Sequence, residues 1–294
     1  MGGCTLSRKK ISLGVTAFLD LLGFGDHVLT ATNTNDIDDI TLAVKKIQGE
    51  FGYNSKDATI RKVNAAYKKT VLAFSDSVIV NIPLQSEMTE LQGTFDALLC
   101  ELDGLGTAQA RCVNQGLFLR GGVDLGWWYR RGSTLVSQSL TRAYKAEGMA
   151  DVPVIALTKD LHEFFAKHRD RDCYSADIEP VRRLLRPYPN PETTVMFWYL
   201  DYITMFAEDI GWVTSRAQHA KYFSASEEER DEIVATGYAR NRDAWFDRHA
   251  RAVEKAHSLA TSAKVKAKYA WLAGYHNDVA PRFTKNQSSI CTAK

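Results

Sequence analysis

The sequence predicts an α+β fold: a βαββαβ core whose mostly antiparallel sheet carries its helices on one face, followed by a C-terminal helical extension. Three observations predict it. Short, β-rich apolar runs alternate with helix-patterned stretches along most of the chain. Two of these runs are separated only by Ser75-Asp76-Ser77, as in a hairpin. The final part carries long, charged helical patterns, so we expect one domain over residues 1–205 and a helical extension over residues 206–294.

The first elements follow the pattern strand, helix, hairpin. Residues 11–22 are apolar and β-rich, and the following GFGDHV is typical of a turn into a helix that runs to about residue 50. GYNSKDAT is expected to be a polar loop. The stretch AAYKKTVLAFSDSVIVNIPL then supplies two strands, and Pro83 ends the second.

The second half of the core repeats the alternation. A helix is expected from about residue 88 to 115, ending near Gly116. GLFLRGGVDLGWWYRRGSTLV supplies two strands around the turn at residues 130–133. SLTRAYKAEGM is predicted to be a helix closed by Gly148, and VPVIAL to be a strand.

The character of the chain changes near residue 165. KHRDRDCYSADIEPVRRLLRPYPNPE is charged and rich in proline, which predicts an excursion or linker, and TTVMFWYLDYI is typical of one more strand. Further on, Ser224 or Ser226 is the predicted cap of a long helix. Two helical segments are expected, over residues 227–258 and 262–279.

Composition narrows the class of protein. The 294 residues are 45% hydrophobic and 24% charged, as in ordinary globular proteins, and the net charge of +2 gives no reason to expect a nucleic-acid partner. Five scattered cysteines without a CxxC pair indicate neither a disulfide framework nor a zinc site. No apolar run reaches the ~18 residues of a membrane span, and MGGCTLSRKKISLG lacks a signal-peptide core. We therefore expect a soluble, cytoplasmic protein with no membrane partner.

Two aspartates stand where the predicted sheet would bring them together. Asp20 interrupts the apolar run VTAFLDLLGFG, and Asp76 lies at the tip of the hairpin. A carboxylate in a buried strand costs several kcal/mol unless a cation or hydrogen bonds compensate it. Asp20 is thus either a structural residue whose charge is compensated or part of a metal site. Asp76 either stabilises the turn or is a second metal ligand. Paired carboxylates favour Mg²⁺ or Mn²⁺ and metal-assisted phosphoryl chemistry.

The turn behind Asp20 is a predicted substrate-binding element. Gly23 and Gly25, with Phe24 between them, let the backbone approach a ligand closely. The N–H groups at the start of the predicted helix can hold phosphate oxygens.

The motifs FLDLLGFGD, VLAFSDSVIV, RGGVDLG and AYKAEG, in this order, resemble the class III nucleotidyl cyclases, and most of all the bacterial Pycsar pyrimidine cyclases. The resemblance covers residues 11–205 and implies a class III cyclase-like (ferredoxin-like) catalytic domain. It implies that Asp20 and Asp76 bind two divalent cations, Mn²⁺ or Mg²⁺, helped by the backbone carbonyl group of Leu21. It also implies a head-to-tail homodimer with active sites at the interface.

Departures from the purine-specific members bear on the substrate. Those enzymes place a base-reading lysine where this sequence has Leu72, and the partner acid falls near Thr134. An apolar side chain cannot hydrogen-bond a purine edge, which disfavours ATP and GTP. The resemblance therefore implies a pyrimidine nucleoside triphosphate, UTP or CTP.

A helix of the resembling enzymes orients the ribose and stabilises developing charge, and the alignment places Thr141 and Lys145 there. Lys145 is thus either a catalytic charge stabiliser or a solvated lysine on a helix surface. The Gly-Pro pair usual in the Pycsar branch is missing near Ser137-Gln138. Arg120 is a further candidate phosphate ligand.

The predicted function is conversion of UTP to 3′,5′-cyclic UMP and pyrophosphate, as a second-messenger synthase in antiphage defence whose product acts on a separate effector protein. The alternatives are a cytidylate cyclase that makes cyclic CMP, a purine cyclase with altered base recognition, and a catalytically silent cyclase-like domain. A nucleic-acid binder is disfavoured, because the basic segment KVKAKYAW is short.

Overall fold

The fold contains a mixed, mostly antiparallel sheet. A computed structural model describes residues 11–132, 134–168, 184–189, 196–213 and 215–293. Within these ranges the strands are β1 Ser12–Leu21, β2 Thr70–Phe74, β3 Ser77–Pro83, β4 Leu119–Arg131, β5 Thr134–Ser137, β6 Ile155–Leu157, β7 Leu185–Pro189 and β8 Met196–Leu200. Their order in the sheet is β2-β3-β1-β4-β6-β8-β7, with β5 paired to β4 as a hairpin. The predicted excursion over residues 167–192 lies mostly outside the described ranges, and its described part includes β7.

Helices alternate with the strands and then dominate the C-terminal part. They are α1 Phe24–Thr30, α2 Thr34–Glu50, α3 Ala58–Ala66, α4 Glu87–Gln92, α5 Thr94–Asn114, α6 Gln138–Met149, α7 Lys159–His168, α8 Tyr202–Asp209, α9 Arg216–Ser224, α10 Glu227–Leu259 and α11 Ala263–Val279. The predicted α+β class is confirmed. No helix of the described residues is long and apolar enough to cross a membrane.

Strand β1 is an inner strand of the sheet, antiparallel to both of its neighbours, β3 and β4. Its side chains alternate between two faces. Val15, Ala17 and Leu19 are buried in a core that includes Leu98 and Leu102 of α5. The first face of the sheet is therefore covered by α5.

The opposite face of β1 and β4 is covered by α6. Thr16 hydrogen-bonds Ser139 of α6 at 2.6 Å, and the ring of Phe18 contacts Tyr144. Close packing depends on Gly122 of β4, where a Cβ would collide with the carbonyl oxygen of Ala143. Helices thus lie on both faces, unlike the one-sided arrangement that we expected, because glycines in β4 let a second helix seat directly on the strand.

Of the helix boundaries that differ from the sequence prediction, three are explained by polar caps; in addition, the helix expected over residues 88–115 divides at Gly93, and the helix expected to close at Gly148 continues to Met149. The helix expected to run unbroken to about residue 50 divides, because Asn33 begins α2 with a capping box. The expected loop GYNSKDAT leads into α3, whose first N–H groups bond to the Asp57 side chain. The strand expected over TTVMFWYLDYI ends at Leu200, since Asp201 caps α8.

The C-terminal helices pack against the sheet through a second core. Helix α10 begins at the capping box of Ser226, which is the observed cap, whereas Ser224 ends α9. Trp245 and Leu272 of the extension are buried together with Tyr199 of β8. The predicted boundary between residues 205 and 206 falls within α8, and residues from both sides of it share this core.

Candidate active site

The structure brings Asp20 and Asp76 together. Asp20 is the last residue but one of β1, and Asp76 lies in the two-residue turn that joins β2 to β3. Ser75 adopts the left-handed conformation, with φ of 54°, which keeps this turn tight. Ser77 directly follows the turn and donates a hydrogen bond from Oγ to Oδ1 of Asp20 over 3.3 Å. The hairpin tip therefore meets the end of β1.

The two carboxyl groups are close enough to affect one another. Burial raises the pKa of Asp76, and the nearby charge of Asp20 raises it further. Two carboxylates that repel in this way gain from a cation placed between them. Leu21, whose carbonyl group is the third predicted ligand, is the next and last residue of β1.

Strand register places these residues on a definite face of the sheet. Asp20 pairs with Arg120, and Phe74 pairs with Ser77, so all four side chains lie in one row on the face that α6 partly covers. Phe74, at the open end of this row, is 84% exposed. The aspartate pair therefore lies at an open edge of the sheet rather than inside the core.

Leu72 lies in the adjoining row of the same face. It pairs with Ile79, which in turn pairs with Phe18 of β1. Leu72, Ile79 and Phe18 are half-buried. An apolar, partly open strip thus lies next to the aspartates.

Arg120 is an ion-pair partner of Asp20, a contact that the sequence did not predict. Its Nε and Nη2 donate to Oδ2 of Asp20 over 3.3 and 3.1 Å. Its Nε also lies 2.5 Å from Oε1 of Glu147 in α6. The guanidinium group therefore links two carboxylates, and its predicted role as a phosphate ligand would require it to leave at least one of them.

Glu147 is a site residue that the sequence analysis missed. It is 5% exposed, and burial raises its pKa while the charge of Arg120 opposes the rise. Within the segment AYKAEG, the sequence analysis considered only Lys145 and assigned no role to Glu147. One signal was available, because Ala143, Ala146 and Glu147 fall at helical spacing on one face of α6, and small residues there indicate close packing.

The C-terminal extension adds a buried cation to the half-buried Arg120. Lys268 of α11 is 9% exposed, and its Nζ lies 3.7 Å from Oδ1 of Asp151. Burial and the charge of Arg120 lower the pKa of Lys268, and Lys268 in turn lowers the pKa of Glu147. Lys268 therefore belongs to the same charge cluster as Arg120.

Three further predicted residues lie on α6 and at the start of β5. Thr141 and Lys145 are exposed on α6, where Thr141 donates to the carbonyl oxygen of Ser137 over 2.9 Å. Thr134 pairs with Arg131, at the other end of β4 and roughly 35 Å from Asp20 at ~3.3 Å per strand residue. Within one chain, Thr134 is therefore far from the aspartate edge.

The predicted substrate turn follows β1 directly. Gly23 takes φ of 82°, which requires glycine, and α1 begins at Phe24. Phe24 packs against the first core, and the space around Gly25 is open.

The donor set fits divalent cations. The described residues contain no cluster of three or more His, Cys, Asp or Glu side chains that could hold a metal. Asp20 and Asp76 offer two carboxylates, so backbone carbonyl groups, water and substrate phosphates would complete the ligands. Mg²⁺ and Mn²⁺ accept this set of hard oxygen donors, and a cation would relieve the repulsion that raises the pKa of Asp76.

A further acid is buried away from this edge. Asp124 of β4 is fully buried and accepts a hydrogen bond from Thr158, and its Oδ2 has no hydrogen-bond partner in the described part of the chain. Burial raises the pKa of Asp124 to about 6. Asp124 is therefore poised to take up a proton in mildly acidic solution.

Comparisons with known proteins found similarity among solved structures only. No protein-family model matches the chain, and no curated protein matches it. The adenylyl cyclase CyaB from P. aeruginosa aligns with a TM-score of 0.42 and 14% identity, over 71% of this chain and 98% of that chain. The guanylyl cyclase domain of the RhoGC fusion protein from the aquatic fungus Blastocladiella emersonii aligns with a TM-score of 0.40 and 10% identity, over 66% and 98%.

A class III adenylyl cyclase-like ATP-binding protein from Pseudomonas aeruginosa aligns with a TM-score of 0.40 and 17% identity, over 53% of this chain and 35% of that chain. Because each of these TM-scores is below 0.5, we base the functional assignment on the residues of this chain.

Proposed function

We propose that this protein is a nucleotidyl cyclase that converts a pyrimidine nucleoside triphosphate, UTP in the first place and CTP as the alternative, to its 3′,5′-cyclic monophosphate. The observation that carries the proposal is the meeting of Asp20 and Asp76 at one sheet edge, where Ser77, directly after Asp76, donates a hydrogen bond to Asp20, and where burial and then the charge of Asp20 raise the pKa of Asp76. The order and spacing of the motifs around both residues, which resemble class III cyclases, support it.

In this reaction the ribose 3′-oxygen bonds to the α-phosphorus, and the bond from that phosphorus to the bridging oxygen breaks, so pyrophosphate leaves with the electron pair. The hydroxyl proton passes to solvent. Bound divalent cations, held by Asp20, Asp76 and the carbonyl group of Leu21, would make the 3′-hydroxyl more acidic and neutralise the pyrophosphate.

The chain's own residues would position the substrate. Ser77 and Arg120 hold the carboxylate of Asp20 in place through the hydrogen bonds described above. The backbone N–H groups of the turn at Gly23, Phe24 and Gly25 would donate hydrogen bonds to phosphate oxygens. Leu72 would present an apolar wall to the base instead of a hydrogen-bonding group, which supports a pyrimidine over a purine.

A second copy of the chain would complete the site. Thr134 lies at the end of β4 away from Asp20, and Lys145 and Thr141 face outward on α6. In a head-to-tail homodimer, each of two equivalent interface sites can take residues from both copies. We include in the proposal that the three residues act on the nucleotide held at the partner's aspartates, and that Lys145 stabilises the developing phosphate charge.

The test is incubation of the pure protein separately with UTP, CTP, ATP and GTP in the presence of Mn²⁺, with products resolved by chromatography and mass. We expect a cyclic pyrimidine monophosphate that disappears in Asp76→Asn and persists in the matched surface variant Asp39→Asn. A cyclic purine product would overturn the assignment of the base. Absence of any product would overturn the assignment as a cyclase and favour a silent, ligand-binding domain.

The cellular role proposed with this activity is antiphage signalling, in which the cyclic nucleotide acts on a separate effector protein. The role is tested by expressing the protein with its neighbouring genes and measuring phage plaques. Protection that is lost in Asp76→Asn would support the role, and equal protection by both forms would contradict it.

A further inference from the structure

A line of alternating charges leads from the aspartate edge into the C-terminal extension. It runs from Asp20 to Arg120, then to Glu147, and includes Lys268 of α11. Glu147 and Lys268 are both at least nine-tenths buried. Burial of two charged groups is costly unless each is compensated, so the members of this line depend on one another.

Arg120 is divided between two carboxylates. Its Nε hydrogen-bonds Asp20, whereas Oε1 of Glu147, although only 2.5 Å from Nε, lies outside the direction of the N–H bond and is a buried oxygen without a hydrogen-bond partner in the described residues. Glu147 thus competes for the guanidinium group without satisfying its own oxygen. A shift of Arg120 toward Glu147 would satisfy that oxygen and leave Asp20 more negative.

Lys268 also affects how Arg120 is divided. Its positive charge partly compensates Glu147, as the effect on the pKa of Glu147 indicates, and so reduces the pull of Glu147 on Arg120. Lys268 is held in place by its neighbour, because the ring of Tyr269 contacts Phe118 with centroids 4.9 Å apart. Phe118 immediately precedes β4, two residues from Arg120, so α11 is fixed at the strand end that carries Arg120.

We propose that Glu147 and Lys268 are positioning residues that set how Arg120 is shared between Asp20 and Glu147, and thereby set the cation affinity of Asp20. Helix α11 then affects cation binding through Lys268, in addition to packing against the sheet. The inference rests on the proposed function in one respect, that Asp20 binds a divalent cation.

The test measures the Mn²⁺ affinity of each variant from the electron paramagnetic resonance signal of free Mn²⁺. The protein is titrated by itself and in the presence of α,β-methylene UTP or CTP, nucleotides that cannot be cyclised. Glu147→Gln should bind Mn²⁺ about tenfold more weakly, because Arg120 then pairs with Asp20 alone. Lys268→Met should bind about threefold more tightly, because Glu147 then draws Arg120 away. The double variant should bind Mn²⁺ as weakly as Glu147→Gln, because Lys268 acts on Arg120 through Glu147.

Lys264→Met is the matched control, because Lys264 lies on the same helix and approaches the same Asp151 carboxylate but is largely exposed. Its Mn²⁺ affinity should stay within about twofold of the unchanged protein, and Lys268→Arg should restore the original affinity. If Lys268→Met does not fold, the change in Mn²⁺ affinity of Glu147→Gln alone decides whether the inference holds.

The outcomes separate the two proposals. Unchanged affinity in folded Glu147→Gln, or shifts of the same sign in both variants, would overturn this inference and leave the proposed function standing. Failure of the unchanged protein to bind Mn²⁺ under either condition would overturn both.

Discussion

Asp20 occupies an apolar strand at little cost because two neighbours satisfy both of its oxygens. Ser77 donates to Oδ1, and Arg120 donates twice to Oδ2. The two interpretations of Asp20 drawn from the sequence, a satisfied structural residue and a metal ligand, are therefore compatible in this structure. A carboxylate held by protein donors is oriented before a cation arrives, which reduces the entropy lost on binding.

Single residues of the site differ in how well the sequence predicts them. Asp20 and Asp76 could be found because each stands at a recognisable break between strand and turn. Arg120 was noticed, but its pairing with Asp20 depends on the register of β1 and β4. Glu147 had only the indirect signal of the small residues on its face of α6, and Lys268 had none, because a charged residue in a helix looks solvated until tertiary packing buries it.

Asp124 makes a prediction about pH. Its pKa in the folded protein is raised to about 6 from the ordinary 3.8, so the folded state binds the proton more tightly than the unfolded chain does. The stability that Asp124 contributes is fully present below pH ~4 and is lost as the pH rises through 6. Relative to Asp124→Asn, the free energy of unfolding should fall by about 2 to 3 kcal/mol over this range.

Denaturant unfolding at a series of pH values measures this difference. Parallel stability curves for the two proteins between pH 4 and 6.5 would show that Asp124 does not titrate in that window.

At the scale of elements, polar caps decide where the helices begin, and hydrophobic periodicity alone misplaces them. Asn33, Asp57 and Asp201 each accept hydrogen bonds from the first N–H groups of a helix. Strand β1 and the turn and far end of the hairpin were predicted to within about two residues, because period-two alternation and short turns are local signals, whereas β2 begins at Thr70, five residues after the start of the predicted stretch. The helix after β8 was missed because TTVMFWYLDYI is mostly apolar, and Asp201 within it was the available signal.

The close packing of α6 on the sheet predicts how a substitution at Gly122 changes the free energy of unfolding. Any side chain at Gly122 would collide with the backbone carbonyl group of Ala143 and with Ala146. Gly122→Ala should therefore lower the free energy of unfolding by about 3 kcal/mol, since a helix backbone cannot yield as a flexible side chain can.

The matched control is Gly148→Ala in α6 itself, where an added Cβ meets open space. This variant should be unchanged or up to about 1 kcal/mol more stable, because alanine favours a helix over glycine. Equal stability of Gly122→Ala and Gly148→Ala in urea unfolding would contradict the close packing of α6.

A buried histidine pair ties the C-terminal helices to α8. His276 Nε2 lies 2.6 Å from the carbonyl oxygen of Ser289 and so must carry its proton. His276 Nδ1 is then an acceptor for His249 Nδ1–H at 2.9 Å, and His249 Nε2 accepts from the hydroxyl group of Tyr202. Every tautomer in this chain of bonds is fixed with both rings neutral, and burial lowers the pKa of both histidines accordingly.

At the scale of the whole molecule, the extension and the sheet form one packed body. Residues of α8, α10 and α11 share a core with β6 and β8, and α11 also contributes Lys268 to the charge cluster of Arg120 and Glu147. The sequence predicted the helices of the extension but gave no sign of what they cover, because helical periodicity shows that a face is buried without showing against which partner.

The proposed head-to-tail homodimer predicts complementation between inactive variants. If Lys145 acts at the partner's aspartates, Asp76→Asn and Lys145→Ala are each inactive alone, yet a mixed dimer keeps one intact site. After unfolding and refolding an equal mixture, activity should return to about a quarter of that of the unchanged protein.

The control is a mixture of Asp76→Asn with Asp20→Asn, both of which damage the same half of the site, and it should stay inactive. Recovery in this control, or none in the test mixture, would contradict the contribution of Lys145 from the partner copy.

The measurement that tests the central claim most directly is the joint time course of pyrophosphate and cyclic pyrimidine monophosphate from UTP or CTP with Mn²⁺, for the unchanged protein and Asp76→Asn. We predict equal amounts of the two products at every time point and at least a hundredfold slower formation in Asp76→Asn, as expected when charge stabilisation at the reacting phosphate is lost. Pyrophosphate without cyclic product, or equal rates in the two proteins, would contradict the claim that Asp20 and Asp76 form the cyclase site.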